Sequence, residues 1–408
     1  MITNISVENF MSIREKITLS LEATTSKKLL DNVIKIDNKK NLLKSVAIYG
    51  ANASGKSNIL KAIFFMWEMI TKSHTYTVDT KINRIPFKLD SDSEKRPSVF
   101  EINFIHEGIT YKYGFSCTNT KIVDEYLFHS PKGRLALIFR RKNTKNYTFN
   151  KDKPKQKSIK KQTLDNTLFL SRATQLGYEQ TKKIYEFFLS NVVLNYAPSW
   201  SDYTIVKMYE TPQLKKQILT ILQKADFGGI TDIKINKEKR KGTEVKIEKD
   251  AVSRRDIEND FYDIKFSHKK IDSSMTSVEL NFNEESLGTQ RTLSLLGPII
   301  DILEKGKTLF MDELDASLHP EITKLIVKLF NNKKNKNAQL IFTTHNTNML
   351  DNELFRKDQI IIVSKEPNQS TELAYFSDFN LRQETDFERA YLNGRIGGLP
   401  FIDETLFD

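Results

Sequence analysis

A single cysteine, Cys117, stands in 408 residues, which excludes disulfide frameworks, Cys-based zinc fingers and cysteine-ligated iron–sulfur clusters. No apolar run reaches the roughly 18–20 residues that a membrane span needs. The longest, Leu60 to Ile70, is broken by Lys61 and Glu68 and reads as a helix. The first residues, MITNISVENF, set Asn4, Glu8 and Asn9 where a secretory core would have to be apolar, so no export signal is visible. Internal repeats and long heptad tracts are also missing. Asp90-Ser-Asp92 is the only D-x-D, in a polar stretch, and reads as turn chemistry rather than a nuclease metal site. These absences leave a soluble cytoplasmic protein as the expectation, with no membrane partner.

Hydrophobic residues make up 39% and charged ones 28%, enough for a sizeable core under a polar surface. The net charge is +11, and it is unevenly placed. Arg140 to Lys161 holds ten Lys or Arg against Asp152 alone. Two readings of this basic loop stand open: a solvated loop, or a flexible arm that meets nucleic acid or an acidic partner. Lys237 to Asp250 alternates in sign and reads as an exposed connector.

Period-two patterning predicts strands in Ile2–Leu21, and Val99–Phe104, Thr110–Phe115, Glu125–Phe128 and Leu135–Arg140 predict an antiparallel section. Arg172 to Gly228 reads as helical. Ile230–Ile235, Asp263–Ser267 and Ser277–Phe282 return to strands. Thr308–Met311, Leu340–Thr343 and Ile360–Val363 are continuous apolar runs, as a sheet buried on both faces requires.

Between the short apolar run Lys44–Tyr49 and the helical pattern Asn58–Ile70 lies Gly50-Ala51-Asn52-Ala53-Ser54-Gly55-Lys56-Ser57, which fits G-x-x-x-x-G-K-[ST] in full. Its glycines permit a tight loop whose N–H groups point at phosphate oxygens. Lys56 would reach the terminal phosphates and the Ser57 hydroxyl would ligand Mg²⁺. Asp312 and Glu313 end the strand Leu309–Met311. Asp312 suits a metal ligand and Glu313 a general base for an attacking water. His345 closes Leu340–Thr344 where ligands sit in open α/β sheets. Glu285-Ser286-Leu287-Gly288-Thr289-Gln290-Arg291 opens an apolar helix, with Ser286 placed as an N-cap or as part of an anion-binding end.

Taken in order, GANASGKSN, ESLGTQR, LFMDELDASLHP and TTH resemble the ATP-binding-cassette ATPases of the SMC/RecF/OLD branch. Within that branch the chain is most similar to stand-alone AAA-family ATPases of anti-phage abortive infection, the RloA/AbiLi-like group. The resemblance covers roughly the first 130 residues and roughly 275–408. Ile5–Ile13, Asn52 and Asn58 match the family's first strand and loop, and Tyr391–Phe401 resembles the tail of the RloA-like set.

The resemblance implies an α/β fold: an ABC-type P-loop ATPase head with a mixed or parallel central sheet, an antiparallel β subdomain and a helical insertion. The corresponding division is 1–171 with the basic loop 140–161, then 172–260, then 261–408. It implies ATP and Mg²⁺ held by Gly50 to Ser57 and Asn58, metal contacts from Ser57 and Asp312, and catalysis by Glu313, His345 and Lys56. Ser286, Gly288, Thr289 and Gln290 would be the signature and Asp315 the D-loop. In such proteins the signature of one subunit completes the site of another, in a homodimer or higher oligomer. Here ESLGTQR departs from LSGGQ, so either Ser286 or Thr289 could supply the hydroxyl for the γ-phosphate. The resemblance also implies a separate effector, often a Toprim-type nuclease. The alternative is a RecF-like DNA-binding ATPase, with Arg140–Lys161 as its nucleic-acid contact.

Overall fold

A computed structural model describes all residues except 38–39, 132, 196–199, 226, 228, 249–250, 272–276, 382–384 and 400–408. The chain divides into two compact units. The first comprises Met1–Tyr196, Ile302–Ala316 and Thr323–Asp408; the second comprises Ala197–Asp301 and Ser317–Ile322.

In the first unit, the apolar runs pair as a six-stranded sheet. Its order is Val192–Asn195, Thr308–Met311, Gln339–Thr343, Ser45–Tyr49, Ile360–Lys365 and Thr371–Tyr375. The first five strands run parallel and the last antiparallel. Ser45–Tyr49 is buried at every position, which its unbroken apolar sequence requires. The unit also holds a seven-stranded antiparallel sheet, from Asn146–Phe149 at one edge to Ile17–Ser20 at the other, and a two-stranded pair, Val33–Lys35 with Asn41–Leu43. The helix Lys56–Lys72 buries Ile59, Leu60, Ile63, Met66 and Ile70 at helical spacing. Phe65 of this helix packs on Phe100 of the antiparallel sheet with ring centroids 5.0 Å apart, and Phe104 stacks on Phe187 at 4.3 Å. The expected α/β fold, with a mixed central sheet and an antiparallel β section, is the one observed.

The second unit has its own core. Ile205, Met208, Ile218 and Leu222, from the helices Ser201–Glu210 and Pro212–Lys224, pack with Ile233, Ile264 and Phe266 of the strands and with Leu293 and Leu296. Its strands are far longer than the apolar segments predict. Ile230–Glu248 and Ala251–Lys269 pair along their length as a hairpin. The alternating charges from Lys237 onward therefore lie on a strand, not a connector, with Lys237 paired to Asp260 at 2.7 Å and Lys239 to Glu258 at 3.0 Å. Asp250 is outside the described residues.

Two further expectations need correction. The stretch read as helical from Arg172 contains the strand Val192–Asn195, which pairs in parallel beside Thr308–Met311. Four residues are too few to show a period, and two flanking helices mask them. Arg140–Lys161 is not a loop. It folds as the strands Ala136–Lys142 and Asn146–Phe149 followed by the helix Lys153–Lys161. Asp90, by contrast, is turn chemistry as expected: its carboxylate accepts from the Asp92 N–H and caps the short helix Ser91–Lys95.

The charges of the basic segment separate into two kinds. Arg141 is 1% exposed and donates to the carbonyls of Thr144, Leu164, Asp165 and Thr167. Its neighbour Glu125 is fully buried and accepts from the Phe169 and Leu170 N–H groups and the Tyr113 hydroxyl. Burial pushes the Glu125 carboxyl up, and Arg141 opposes that shift. Lys142, Lys145, Lys151, Lys153, Lys155, Lys157, Lys160 and Lys161 are exposed. Arg141→Met should therefore cost about 3–5 kcal/mol by leaving Glu125 and four carbonyls without their cation. Lys157→Met should cost under ~0.5 kcal/mol. Chemical denaturation of the full chain checks both; equal small losses would contradict the division.

Candidate nucleotide site

Parallel strands present their carboxyl ends together, and the motif residues leave those ends from adjacent strands. Gly50 follows Tyr49, Asp312 follows Met311, His345 follows the strand ending at Thr343, and Lys365 ends the strand on the other side of Ser45–Tyr49. At these ends lies a cavity of about 550 Å³ lined by Asn52 to Asn58, Ser12, Glu313, Thr343, His345 and Lys365. The structure thus brings the loop, Glu313 and His345 to one place.

The loop is held tightly. A Cβ on Gly50 would meet the Val363 carbonyl oxygen at 2.1 Å, so only glycine fits there. Gly55, at φ +112°, caps the helix Lys56–Lys72, and a Cβ on it would meet Thr371 Oγ1 at 2.1 Å. Lys56 folds back so that Nζ donates to the carbonyls of Gly50 at 2.8 Å and Ala51 at 2.9 Å. Burial pulls its ammonium below the ordinary lysine value; Asp312, Glu313 and Asp315 pull the other way. Ser54 Oγ is buried, with no hydrogen-bond partner among the described residues.

The carboxylates are set by a residue that sequence reasoning did not single out. Thr343 donates to Asp312 Oδ1 at 2.6 Å and accepts from the Glu313 N–H at 2.8 Å. Ser57 Oγ donates to the same Asp312 oxygen at 3.1 Å. Glu313 is held at φ +49° and Ala53 at φ +61°, conformations that cost a β-carbon residue roughly 1–2 kcal/mol and gather at functional sites. Asp315 Oδ2 accepts from the His345 N–H at 3.3 Å, while its buried Oδ1 has no partner among the described residues. The oxygen donors Ser57 and Asp312, side by side among an excess of carboxylate, fit a magnesium ion, which takes hard oxygens and needs only one or two carboxylates. The orphaned Ser54 hydroxyl and the glycine-lined loop fit a bound phosphate.

Ser12 and Thr371 were also missed. Asn58 Nδ2 donates to Ser12 Oγ at 2.7 Å, Ser12 and Thr371 hydroxyls share a 2.7 Å bond, and Thr371 Oγ1 donates to the Ser54 carbonyl at 2.9 Å. Each hydroxyl in this relay both accepts and donates. The sequence offered only Ser12, inside the segment ISVENFMSI; Thr371 lies far along the chain and carries no local signal.

The signature candidates lie in the second unit. Ser286 caps the helix Leu287–Lys305: its Oγ accepts from the Thr289 N–H at 3.1 Å and shares a 2.8 Å bond with the Thr289 hydroxyl. Thr289 is 5% exposed, whereas Ser286 is open to solvent and Leu287 is 74% exposed. Of the two hydroxyls left open by the sequence, Ser286 is the accessible one. Gln290 is turned back onto the Glu285 carbonyl at 2.8 Å. Nothing lies closer than 3.7 Å to a Cβ built on Gly288.

The family profile described as "AAA domain, putative AbiEii toxin, Type IV TA system" matches residues 45–351, a span containing the phosphate loop, Ser286–Gln290, Asp312, Glu313 and His345. The chain belongs to that AAA-domain family. No curated protein matches it. Among solved structures it is similar to an SMC head bound to the C-terminal winged-helix domain of ScpA (16% identity, TM-score 0.46, covering 94% of this chain and 98% of that one). It is also similar to the SMC head domain from Thermotoga maritima (13%, TM-score 0.40, 92% and 98%). A third is the SMC head with an extended coiled coil, bound to the C-terminal domain of ScpA, derived from Pyrococcus furiosus (15%, TM-score 0.42, 97% and 98%).

The relay to the AAA loop gives a direct test. Thr371→Val keeps the shape but leaves the Ser54 carbonyl without its donor, and should cost about 1–3 kcal/mol. Thr371→Ser should restore the wild-type urea midpoint; equal losses for both variants would show that the hydroxyl is not what matters.

Proposed function

We propose that this chain is an ATP-binding and hydrolysing molecular switch of an anti-phage, abortive-infection type, whose heads dimerise around nucleotide and control a separate effector. The observation that carries the reading is the single cavity shared by Lys56, Ser57, Glu313, Thr343 and His345. The family's description, which names a putative toxin of a type IV toxin–antitoxin system, supports the defence context. The resemblance to RloA/AbiLi-like ATPases favours a Toprim-type nuclease as the effector and the cytoplasm as the place of action.

In this reading the N–H groups of Gly50 to Ser57 and the start of the helix Lys56–Lys72 bind the phosphates, and Asn58 holds the loop through Ser12. Lys56 exchanges its two loop carbonyls for phosphate oxygens. Ser57 and Asp312 would hold the magnesium ion, which supplies charge neutralisation to the triphosphate. Glu313, at the cavity wall, takes the proton of the attacking water, and Thr343 fixes its backbone. His345 and Asp315 stand where the terminal phosphate changes state.

Solvent-exposed Ser286 and Leu287 support a signature that docks onto the site of a second copy. Gly288, Thr289 and Gln290 then act from beneath, shaping the helix start. Hydrolysis waits on this docking and is slow. Glu313→Gln should bind ATP yet fail to cleave it, and should sediment as a dimer or larger with ATP present. A variant sedimenting identically with and without ATP would contradict the switch.

One observation favours a second reading, a RecF-like DNA-binding ATPase. The exposed lysines of the segment lie largely on the helix Lys153–Lys161 (Lys153, Lys155, Lys157, Lys160 and Lys161), not on a floppy arm. Duplex binding that falls steeply with salt, and is lost when Lys153, Lys157, Lys160 and Lys161 become Gln, would support it; binding unaffected by those changes would move the contact elsewhere.

A further inference from the structure

The C-terminal segment YLNGRIGGL, which the proposed mechanism leaves without a task, runs against the phosphate loop. Tyr391 is 5% exposed, its ring centroid lies 6.0 Å from that of Tyr49, and its hydroxyl donates to the Gly398 carbonyl at 2.8 Å. That bond holds Gly398 over the loop's first residue. A Cβ built on Gly398 would lie 3.5 Å from Gly50 Cα, 3.3 Å from Tyr391 Cε2 and 2.7 Å from Ile362 Cγ2. Two glycines therefore stand back to back: Gly50 is pressed on one side by the Val363 carbonyl and approached on another by the tail.

The same tail reaches the switch loop. Glu388, on the helix Phe387–Leu392, accepts from Thr347 Oγ1 at 3.0 Å, two residues beyond His345. Tyr49, which the tail packs on, donates from its hydroxyl to the Asn346 carbonyl at 3.3 Å.

We propose that Gly398, held by Tyr391, is a positioning residue that sets the backbone of Gly50 and thereby the carbonyl to which Lys56 is anchored. The consequence follows from the loop's construction. Lys56 Nζ hangs on the Gly50 and Ala51 carbonyls, so a displaced Gly50 misplaces the ammonium and the first N–H groups of the loop. The segment tunes nucleotide affinity from behind the loop, touching no phosphate. This inference rests on reading Gly50–Ser57 as a triphosphate loop.

Adjacent glycines supply the test. Gly397 and Gly398 have similar φ, +72° and +77°, and among the described residues a Cβ on Gly397 would meet nothing within 4 Å. Alanine at either position carries the same conformational strain, but only the carbon added at Gly398 collides, with Ile362 Cγ2 and tightly with Tyr391, so only there must the tail shift from its seat against Gly50. Binding of a non-hydrolysable ATP analogue with magnesium to the full chain should weaken by about tenfold or more in Gly398→Ala, and by no more than about twofold in Gly397→Ala. Equal affinities in the two variants, whether both reduced or both intact, would overturn the proposal. Should Gly398→Ala fail to fold, Tyr391→Phe removes the hydroxyl alone and should weaken binding several-fold; unchanged binding would overturn it too. A wild-type chain that binds no analogue would instead refute the nucleotide reading itself.

Discussion

One buried lysine sets the terms for the whole site. Lys56 is 6% exposed and stands in the field of Asp312, Glu313 and Asp315, with its ammonium seated on two carbonyls of its own loop. Desolvation favours the neutral amine, and the three carboxylates oppose that pull. The reverse also holds: three carboxylates gathered just beyond one strand end repel one another unless a cation stands among them. Nearby negative charge still outnumbers positive, an imbalance that suits a divalent ion and a phosphate arriving together.

Geometry for this cluster comes from small residues rather than large ones. Gly50 and Gly55 admit neighbours that any β-carbon would collide with, and hydroxyls fill the remaining gaps: Ser12 and Thr371 under the loop, Thr343 between the two acids. Threonine suits these posts because its branched carbon restricts the rotamers and its oxygen can accept and donate at once. The strained backbones of Ala53 and Glu313 persist because such contacts over-determine them. A sheet with buried, continuously apolar strands is the rigid base on which these positions can be held.

What the sequence revealed and what it concealed divide by range. The loop, the acids after Thr308–Met311 and the histidine after Gln339–Thr343 were legible because each is a local pattern fixed to the end of an apolar strand. Val192–Asn195 was hidden by its length between helices. Of the hairpin's two 19-residue strands only Ile230–Ile235 and Asp263–Ser267 were legible; beyond them charged residues pair across the ladder and mask the pattern. Arg140 to Lys161 looked uniform because composition ignores burial; only the fold separates Arg141, inside and hydrogen-bonded to four carbonyls, from the lysines outside. Thr371 and Gly398 escaped for a different reason, since their partners lie over three hundred residues away in sequence.

Complementation between two damaged chains probes the proposed composite site most directly. A Lys56→Ala chain has a crippled loop but an intact Ser286 segment, and a Ser286→Arg chain the converse. Each should be inactive alone. Mixed in equal amounts, they should regain ATPase activity, because some pairs then combine a sound loop with a sound signature; a mixture as inactive as its components would contradict a site shared between two copies.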